Sequence, residues 1–304
     1  MEERLPSSAL PTLRQLQFLA ALNTFGSFVR AAEAVGVAQP TLSAGVKELE
    51  HVLGVQLVER GRTGAILTPA GEEAARRAAD VLAQVEDLVR AVRRADGPLT
   101  GPFRLGAIPT IAPFLLPRAM KALKARFPDL RLVLREDVSS RLVDALRART
   151  LDAAIIALPY EAQGIETEVI DDDEFLLVVP KDHPLGVREH LAPADLAGED
   201  LLLLEDGHCL RDHALSVCKL PQSRAAAAVG ATSLHTLVQM VAGGMGVTLL
   251  PKIAADGGAA RGAAVETRRF EFPVVGRSIG IAWRAGGSRA EDARLIADTL
   301  RKKT

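Results

Sequence analysis

The chain has 304 residues, of which 48% are hydrophobic and 25% are charged, and its formal net charge is −1. This composition excludes a disordered tail, and the length suits two or three domains better than a single core. The nearly neutral charge gives no argument from bulk electrostatics for a polyanionic partner.

The N-terminus and the two cysteines bear on the cellular compartment. The first ten residues, MEERLPSSAL, lack the positive and apolar regions of a signal peptide, and no apolar run approaches the roughly 18 residues that span a membrane. In the reducing cytoplasm a dithiol is more often redox-active, metal-binding or inert than a structural disulfide. We therefore expect a soluble cytoplasmic protein with no membrane partner. The sequence has no metal-ligand spacing of His and Cys and indicates no cofactor.

Three helices and a small hairpin are predicted in the first 68 residues. LRQLQFLAALNTFG (13–26) has leucines on one stripe and ends at a glycine, and SFVRAAEAVGV (27–37) and PTLSAGVKELEHVLG (40–54) follow as two further helices. In VQLVERGRTGAILT (55–68), β-favouring residues flank a Gly/Arg/Thr loop, which indicates a two-stranded wing.

The two helices over 27–54 have the pattern of a helix-turn-helix. A helix N-terminus offers unpaired N–H groups to phosphates, and small polar side chains there suit base edges. Arginines in the wing suit flanking phosphates or a minor groove. A solvated three-helix packing module is the alternative, because residues 14–67 contain only five basic side chains against four acidic ones. The candidate DNA contacts are Gln39, Pro40, Thr41, Ser43, Lys47, Arg60 and Arg62.

One long helix is predicted from Pro69 to about Ala95, followed by a linker, ADGPLTG (95–101). Apolar residues recur along it at alternating spacings of three and four, which is a heptad pattern. The stripe can pack on its own chain or form a seam between two copies. We favour the seam, because nothing else obvious covers the stripe. Its members are Ala75, Ala78, Leu82, Val85, Val89 and Val92.

The remaining two-thirds of the chain alternate between predicted strands and helices. The strands are FRLGAI, RLVLRED, DAAIIAL, FLLVVP, LLLLE, GVTLL and SIGIAW, and a final helix is predicted over 288–303. These strands are continuously apolar and are separated by amphipathic helices. We therefore expect an α/β fold whose parallel sheet is covered on both faces.

The segment LEDGHCLRDHALSVC (204–218) contains both cysteines, and its pattern predicts a helix that opens at Asp206 or Gly207. Cys209 would lie in the first turn, where backbone N–H groups and the helix dipole favour a thiolate. Cys218 would lie about 13.5 Å further along the axis and on the opposite face, whereas a disulfide needs Cα atoms roughly 4.4–6.8 Å apart. The cysteines are therefore either unrelated buried thiols or a pair that meets only when the segment refolds.

The stretch AAEAVGVAQPTLSAGVKELEHVLGVQLVER (31–60) closely resembles the winged helix-turn-helix of LysR-type transcriptional regulators. The long helix after LTPAGE resembles their dimerising linker helix, and VAGGMGVTLLP (241–251) resembles their effector domain. The resemblance extends from about Leu13 to the C-terminal helix. One departure is Ala38, where such proteins often have Ser or Thr, so a cap of roughly 1 kcal/mol is missing.

The resemblance implies an α/β protein with an all-α winged helix-turn-helix N-terminal domain, a long linker helix and a periplasmic-binding-protein-like two-lobed effector domain. The implied partners are double-stranded operator DNA, RNA polymerase and further copies of the chain, paired through the linker helix and assembled as a homotetramer. The expected divisions are a DNA-binding domain at 1–68, a linker helix and hinge at 69–100, and a redox-sensing domain at 101–304, with lobe I at about 102–174 and 276–304 and lobe II at about 175–275.

The cysteine segment and LGAIPTIAPFLLP (105–117) are similar to stretches of the hydrogen-peroxide-sensing members of this family. That similarity implies that peroxide oxidises Cys209 and that Cys218 resolves the product as a reversible disulfide. The protein would be a regulator of antioxidant genes, an activator and not an enzyme. The alternatives are a metabolite-responsive regulator with incidental cysteines and a thiol peroxidase. The implied peroxide site consists of Thr110, Ser139, His208 and Arg277, supported by Arg211, Asp212 and His213.

Overall fold

The chain divides into two compact units, an N-terminal unit over Met1–Ala95 and a C-terminal unit over Asp96–Thr304. Each unit has a hydrophobic core of its own. No helix among the described residues is both long and apolar enough to cross a bilayer. The computed structural model describes residues 10–61, 64–92, 99–205, 207, 209–218, 231–271 and 275–301.

Four helices and a hairpin form the N-terminal unit, which confirms the predicted winged helix-turn-helix. The elements are α1 (Leu13–Phe25), α2 (Phe28–Ala34), α3 (Gln39–Leu53), β1 (Val58–Gly61), β2 (Gly64–Leu67) and α4 (Pro69–Val92). A capping box at Thr12 begins α1, and Gly26 ends it in the left-handed conformation. At the start of α3, Ala38 makes no side-chain cap, as expected from its methyl group.

Side-chain hydrogen bonds fasten the wing to the helices on either side. The Glu50 carboxylate in α3 accepts the backbone N–H groups of Leu57 and Val58, at 2.8 and 3.0 Å. The Thr68 hydroxyl donates to the Gln56 carbonyl at 2.8 Å and accepts the Gly71 N–H at 3.0 Å, which caps α4. The wing therefore has a fixed position relative to α3 and α4.

Adding a methyl group at Gly71 is expected to destabilise the N-terminal unit. An ideal Cβ on Gly71 would lie 2.0 Å from the carbonyl oxygen of Leu57, a backbone atom that cannot move without displacing the wing. We expect Gly71→Ala to lower the free energy of unfolding by about 1–3 kcal/mol, as overpacking does. Urea denaturation of the full chain measures this. The control is Glu72→Ala at the exposed neighbouring position, and equal stability of the two variants would contradict the steric argument.

The apolar stripe of α4 divides into a covered half and an exposed half. Ala75 and Ala78 are buried within the N-terminal unit, and Ala75 belongs to its core. Further along, Val89 of the stripe is 42% exposed, and the neighbouring Leu88 is 63% exposed. The beginning of the stripe therefore packs on its own chain and its end presents apolar surface, while the seam between two copies stays a prediction.

A seven-stranded sheet organises the C-terminal unit, in the order β4-β3-β5-β9-β6-β7 with β8 also paired to β6. Two 3-10 helices, Pro184–Gly186 and Pro193–Gly198, lie between β6 and α7. The elements are β3 (Gly101–Ala107), α5 (Ala112–Arg126), β4 (Leu130–Glu136), α6 (Ser139–Arg147), β5 (Ala153–Leu158), β6 (Ile165–Pro180), α7 (Cys209–Cys218), α8 (Leu234–Ala242), β7 (Thr248–Pro251), α9 (Lys252–Asp256), β8 (Val265–Arg269), β9 (Gly276–Arg284) and α10 (Ala290–Leu300).

The sheet is mixed, so the expectation of a parallel sheet is wrong for most of it. Only β3 pairs in parallel with its neighbours β4 and β5, whereas β9 is antiparallel to β5 and β6, and β6 is antiparallel to β7 and β8. Continuous apolar runs indicate burial on both faces, and burial does not fix strand direction. The predicted strand LLLLE is also wrong, since only isolated bridges at Leu201 and Leu204 form there.

Strands β6 and β9 carry the chain between two lobes. One core is built from residues within 99–170 and 279–300, and the other from residues within 175–275. Ile170 of β6 belongs to the first core, while Phe175, five residues later on the same strand, belongs to the second. The C-terminal unit is therefore two-lobed, and β6 and β9 cross from lobe to lobe side by side.

Candidate functional site

A buried ion pair joins the two crossing strands. Asp173 on β6 lies directly opposite Arg277 on β9 in the antiparallel register, and the Arg277 Nε atom donates to the Asp173 carboxylate at 3.1 Å. Their side chains are 1% and 0% exposed. The carboxylate also accepts the N–H of Ile253 in α9 at 2.9 Å. Burial raises the pKa of Asp173, and the positive charge of Arg277 opposes that rise.

The other nitrogens of the Arg277 guanidinium reach Thr110, in the turn between β3 and α5. Nη1 donates to the Thr110 hydroxyl oxygen at 2.8 Å, and Nη2 donates to the Thr110 carbonyl at 3.3 Å. Thr110 is itself buried. Because its hydroxyl oxygen accepts from Arg277, the hydroxyl proton points away from the guanidinium and is available to a third group.

Ser139 provides a second buried hydroxyl, as the first residue of α6. Its Oγ atom is buried and has no hydrogen-bond partner in the described part of the chain. A buried polar atom in that condition is a candidate contact for a small polar ligand.

Helix α7 begins at Cys209, so this cysteine lies in the first turn as predicted. The Cys209 thiol is free and partly buried, and it packs against the core of the first lobe. Tyr160 packs against the same core. Burial raises the pKa of Tyr160, and the charges of Asp144 and Cys209 add to the rise while Arg147 opposes it. The Arg211 guanidinium in α7 donates to the Leu204 carbonyl at 3.4 Å, which links the helix to the segment that precedes it.

His213 lies one helical turn after Cys209. Its Nδ1 atom is buried and has no hydrogen-bond partner among the described residues. Burial lowers the pKa of His213, and the nearby charge of Arg277 lowers it further, against the opposing effects of the Asp212 carboxylate and the Pro159 carbonyl. Arg277 therefore acts electrostatically on α7 while it holds Thr110 and Asp173.

The structure brings together part of the predicted peroxide site. Arg277 and Thr110 are in direct contact, and His213 lies within the field of Arg277. Asp212 is exposed. His208 and the side chain of Cys218 lie outside the described residues. A cleft of about 550 Å³ opens beside Arg277, lined by Leu158, Pro159, Asp172, Asp173, Glu174, Lys252, Gly276, Arg277 and Ser278.

Asp173 is the residue of this cluster that was not predicted from the sequence. One feature of the sequence could have indicated it. The acidic run DDDE (171–174) directly precedes the apolar run FLLVVP (175–180), and a carboxylate on a buried strand needs a cationic partner. Within the described residues, no three His, Cys, Asp or Glu side chains gather as metal ligands would.

Four of the candidate DNA contacts lie on exposed positions of α3. Gln39, Pro40, Thr41 and Lys47 are exposed, and Ser43 is half-buried. They occupy the first nine residues of the helix, while Leu42, Val46 and Leu49 face the core. Arg62 and the side chain of Arg60 lie outside the described residues.

Comparisons with known proteins agree over the whole chain. A probable hydrogen peroxide-inducible genes activator from Streptomyces viridosporus is 42% identical over 293 residues, which cover 96% of this chain and 94% of that protein. A full-length cysteine-to-aspartate variant of OxyR from Pseudomonas aeruginosa has a TM-score of 0.79 at 36% identity, covering 97% of this chain and 99% of that one. A hydrogen-peroxide-bound cysteine-to-serine variant of OxyR from Corynebacterium glutamicum has a TM-score of 0.67 at 37% identity, covering 96% and 92%.

Two family models match this chain, each over a different part of it. Residues 13–72 match the bacterial regulatory helix-turn-helix protein of the lysR family, and residues 96–304 match the LysR substrate binding domain. The first match contains α1 to α3 and the wing, and the second contains the two-lobed unit with Arg277 and α7. The chain therefore belongs to the LysR family of bacterial helix-turn-helix transcription regulators.

Proposed function

We propose that this regulator is a transcriptional activator that responds to hydrogen peroxide through Cys209 and Cys218. The observation that carries the proposal is the buried Arg277–Thr110 pair beside the helix that begins at Cys209. The relative from Streptomyces viridosporus, named for induction by hydrogen peroxide, and the OxyR structures support the same assignment.

The chemistry begins with attack of the Cys209 thiolate on one oxygen of the peroxide. An S–O bond forms and the O–O bond breaks, which gives a sulfenic acid and a hydroxide that combines with the proton the thiol released to solvent, forming water. In this proposal Arg277 and the Thr110 hydroxyl, which contact each other, donate hydrogen bonds to the leaving oxygen, where negative charge develops. Ser139 and His208 complete the proposed peroxide site, and Arg211, Asp212 and His213 support it.

The second step changes the shape of α7. The Cys218 thiolate attacks the sulfenic sulfur, so that an S–S bond forms and the oxygen leaves as a second hydroxide. One peroxide has then taken two electrons from two sulfurs. The helix spans both cysteines and separates them by about 13.5 Å along its axis, so the disulfide requires that this segment unwind. Oxidation thus acts on a two-state element.

DNA binding and assembly follow from the N-terminal unit. We assign operator contacts to the exposed start of α3 and to the wing arginines, within 1–68. Pairing of two copies is assigned to the exposed end of α4, within 69–100, because Leu88 and Val89 present apolar surface there. Residues 101–304 sense peroxide, and the active assembly is a cytoplasmic homotetramer that contacts RNA polymerase on its operator.

The proposal is tested by exposing the purified full chain to a few equivalents of hydrogen peroxide. We expect a Cys209–Cys218 disulfide by peptide mapping and a changed operator footprint, both reversed by a dithiol reductant. Sedimentation of the same samples gives the assembly state. Free thiols together with an unchanged footprint would refute peroxide sensing. Induction by a small organic anion, with Cys209→Ser still inducible, would assign the chain to metabolite-responsive regulators instead.

A further inference from the structure

His213 shares a helix face with Cys209. The two residues are four apart in α7, and side chains at that spacing are neighbours on a helix surface. The buried Nδ1 atom of His213 has no partner in the described part of the chain, while its ring lies within the field of Arg277. The His213 ring is therefore a neighbour of the proposed nucleophile on the helix and lies within the field of Arg277, one of the proposed donors.

The cluster around Arg277 is rich in donors. A guanidinium has no acceptor atom, and one of the two acceptor lone pairs of the Thr110 hydroxyl oxygen is already taken by Nη1 at 2.8 Å. Hydrogen peroxide, however, has two O–H groups of its own, and burying either without an acceptor costs as much as a lost hydrogen bond. The Ser139 hydroxyl can accept from one of these O–H groups, and the other is best satisfied by a second buried acceptor close to Cys209.

This task needs a neutral ring, and the surroundings of His213 favour one. Burial and the charge of Arg277 both favour the neutral imidazole, which has one N–H and one lone pair. The Pro159 carbonyl can only accept a hydrogen bond, and Nδ1 has no partner, so we assign the ring proton to Nε2, on the side of Pro159. The lone pair is then on Nδ1.

We propose that Nδ1 of His213 accepts a hydrogen bond from the O–H of the peroxide oxygen that Cys209 attacks, and so positions that oxygen in line with the sulfur. This role rests on the proposed function. No proton moves to the ring. The thiolate forms the S–O bond, the attacked oxygen keeps its hydrogen in the sulfenic acid, and the other oxygen leaves as hydroxide toward Thr110 and Arg277.

The charged groups around His213 set the direction of its pH dependence. β9 presents Arg277, α7 itself presents Asp212, and the turn after β5 presents the Pro159 carbonyl. The 3-10 helix packed on α7 carries Asp195, which is engaged by Arg188 and by the Ala192 N–H at 2.8 Å. Protonation of His213 removes the acceptor, so peroxide oxidation of Cys209 should slow as the pH falls below the usual histidine range, about 6.5.

Two substitutions at position 213, by side chains of nearly equal shape, distinguish a hydrogen-bond acceptor from a side chain that only packs. His213→Asn retains an acceptor oxygen and cannot titrate in this range, whereas His213→Leu has neither property. The rate of Cys209 oxidation by hydrogen peroxide is measured on the full chain from pH 5 to 8 by rapid alkylation and mass spectrometry. His190→Leu, at a surface position where the side chain is 74% exposed, is the control and should react as the unmodified protein does.

We expect the Leu variant to react about tenfold more slowly than the Asn variant at neutral pH, the size of one hydrogen bond to a reacting group. We also expect the extra loss of rate at acidic pH in the unmodified protein and in His190→Leu, which both retain the His213 ring, and in neither of the two His213 variants. Equal rates for Asn and Leu, or one acid profile shared by all variants, would overturn the role of His213. Failure of peroxide to oxidise Cys209 in the unmodified protein would overturn the proposed function, and this role with it.

Discussion

Cys209→Ser is expected to abolish the peroxide response, so that the operator footprint of the variant is the same with and without hydrogen peroxide. A serine hydroxyl is not ionised near neutral pH and does not reduce peroxide, so no sulfur oxide forms at the start of α7. The change removes one partly buried sulfur and leaves the helix intact, and we expect it to cost less than about 1 kcal/mol in stability. Alkylation mapping and footprinting of the full chain measure both effects.

Cys218→Ser is the matched variant, and its expected behaviour differs. Cys209 should still be consumed by peroxide at a similar rate, but the product should be a sulfenic acid that a dimedone-type reagent traps. Without the second sulfur no disulfide can form, so nothing requires α7 to unwind. A variant lacking Cys209 that still changes its footprint with peroxide would place the sensor elsewhere. Equal loss of thiol reactivity in both variants would contradict the assigned order of the two cysteines.

Much of the N-terminal unit could be predicted because its information is local. The stripes of α1 and α3, the glycine that ends α1 and the loop of the wing are all encoded within a few residues of where they act. A cap or a helix period needs no knowledge of distant partners. The position of Cys209 at the start of α7 could be predicted for the same reason.

The sheet of the C-terminal unit was predicted less well because strand pairing is not local. β6 pairs with β9, a strand more than a hundred residues later, and the register includes a bulge between Val169 and Asp171. An apolar run indicates that a strand is buried, but it does not identify the strand with which it pairs or the direction of the pairing. The same limit explains why Asp173 was missed, since its partner Arg277 is distant in the sequence and adjacent only in the register.

Arg277→Met is expected to slow the oxidation of Cys209 by about 100-fold, the typical cost of removing a donor from a site of developing charge. The substitution keeps the length and apolar stem of the side chain and removes the hydrogen bonds to Thr110. Arg269→Met is the control. Arg269 is an exposed residue of β8 that pairs with Glu174 at 2.8 Å, and its loss should leave the rate unchanged. A full rate in Arg277→Met would remove this residue from the peroxide site.

The stability of Arg277→Met should depend on pH in a direction set by Asp173. Removing one member of a buried ion pair usually costs about 3–5 kcal/mol, because the other charge is left unpaired. A carboxylate can escape that cost by binding a proton, and burial already raises the pKa of Asp173 while Arg277 opposes the rise, so the variant should have a still higher pKa there.

A raised pKa in the folded state means that the folded chain binds the proton more tightly than the unfolded chain. Stability is then retained at acidic pH and falls as the pH rises toward the folded pKa, by up to about 1.4 kcal/mol for each pH unit. Urea denaturation across pH 4 to 8 measures that slope. Adding Asp173→Asn to Arg277→Met should abolish it, since the amide cannot titrate. A slope that persists unchanged in the double variant would assign it to another group and would contradict the titration of Asp173.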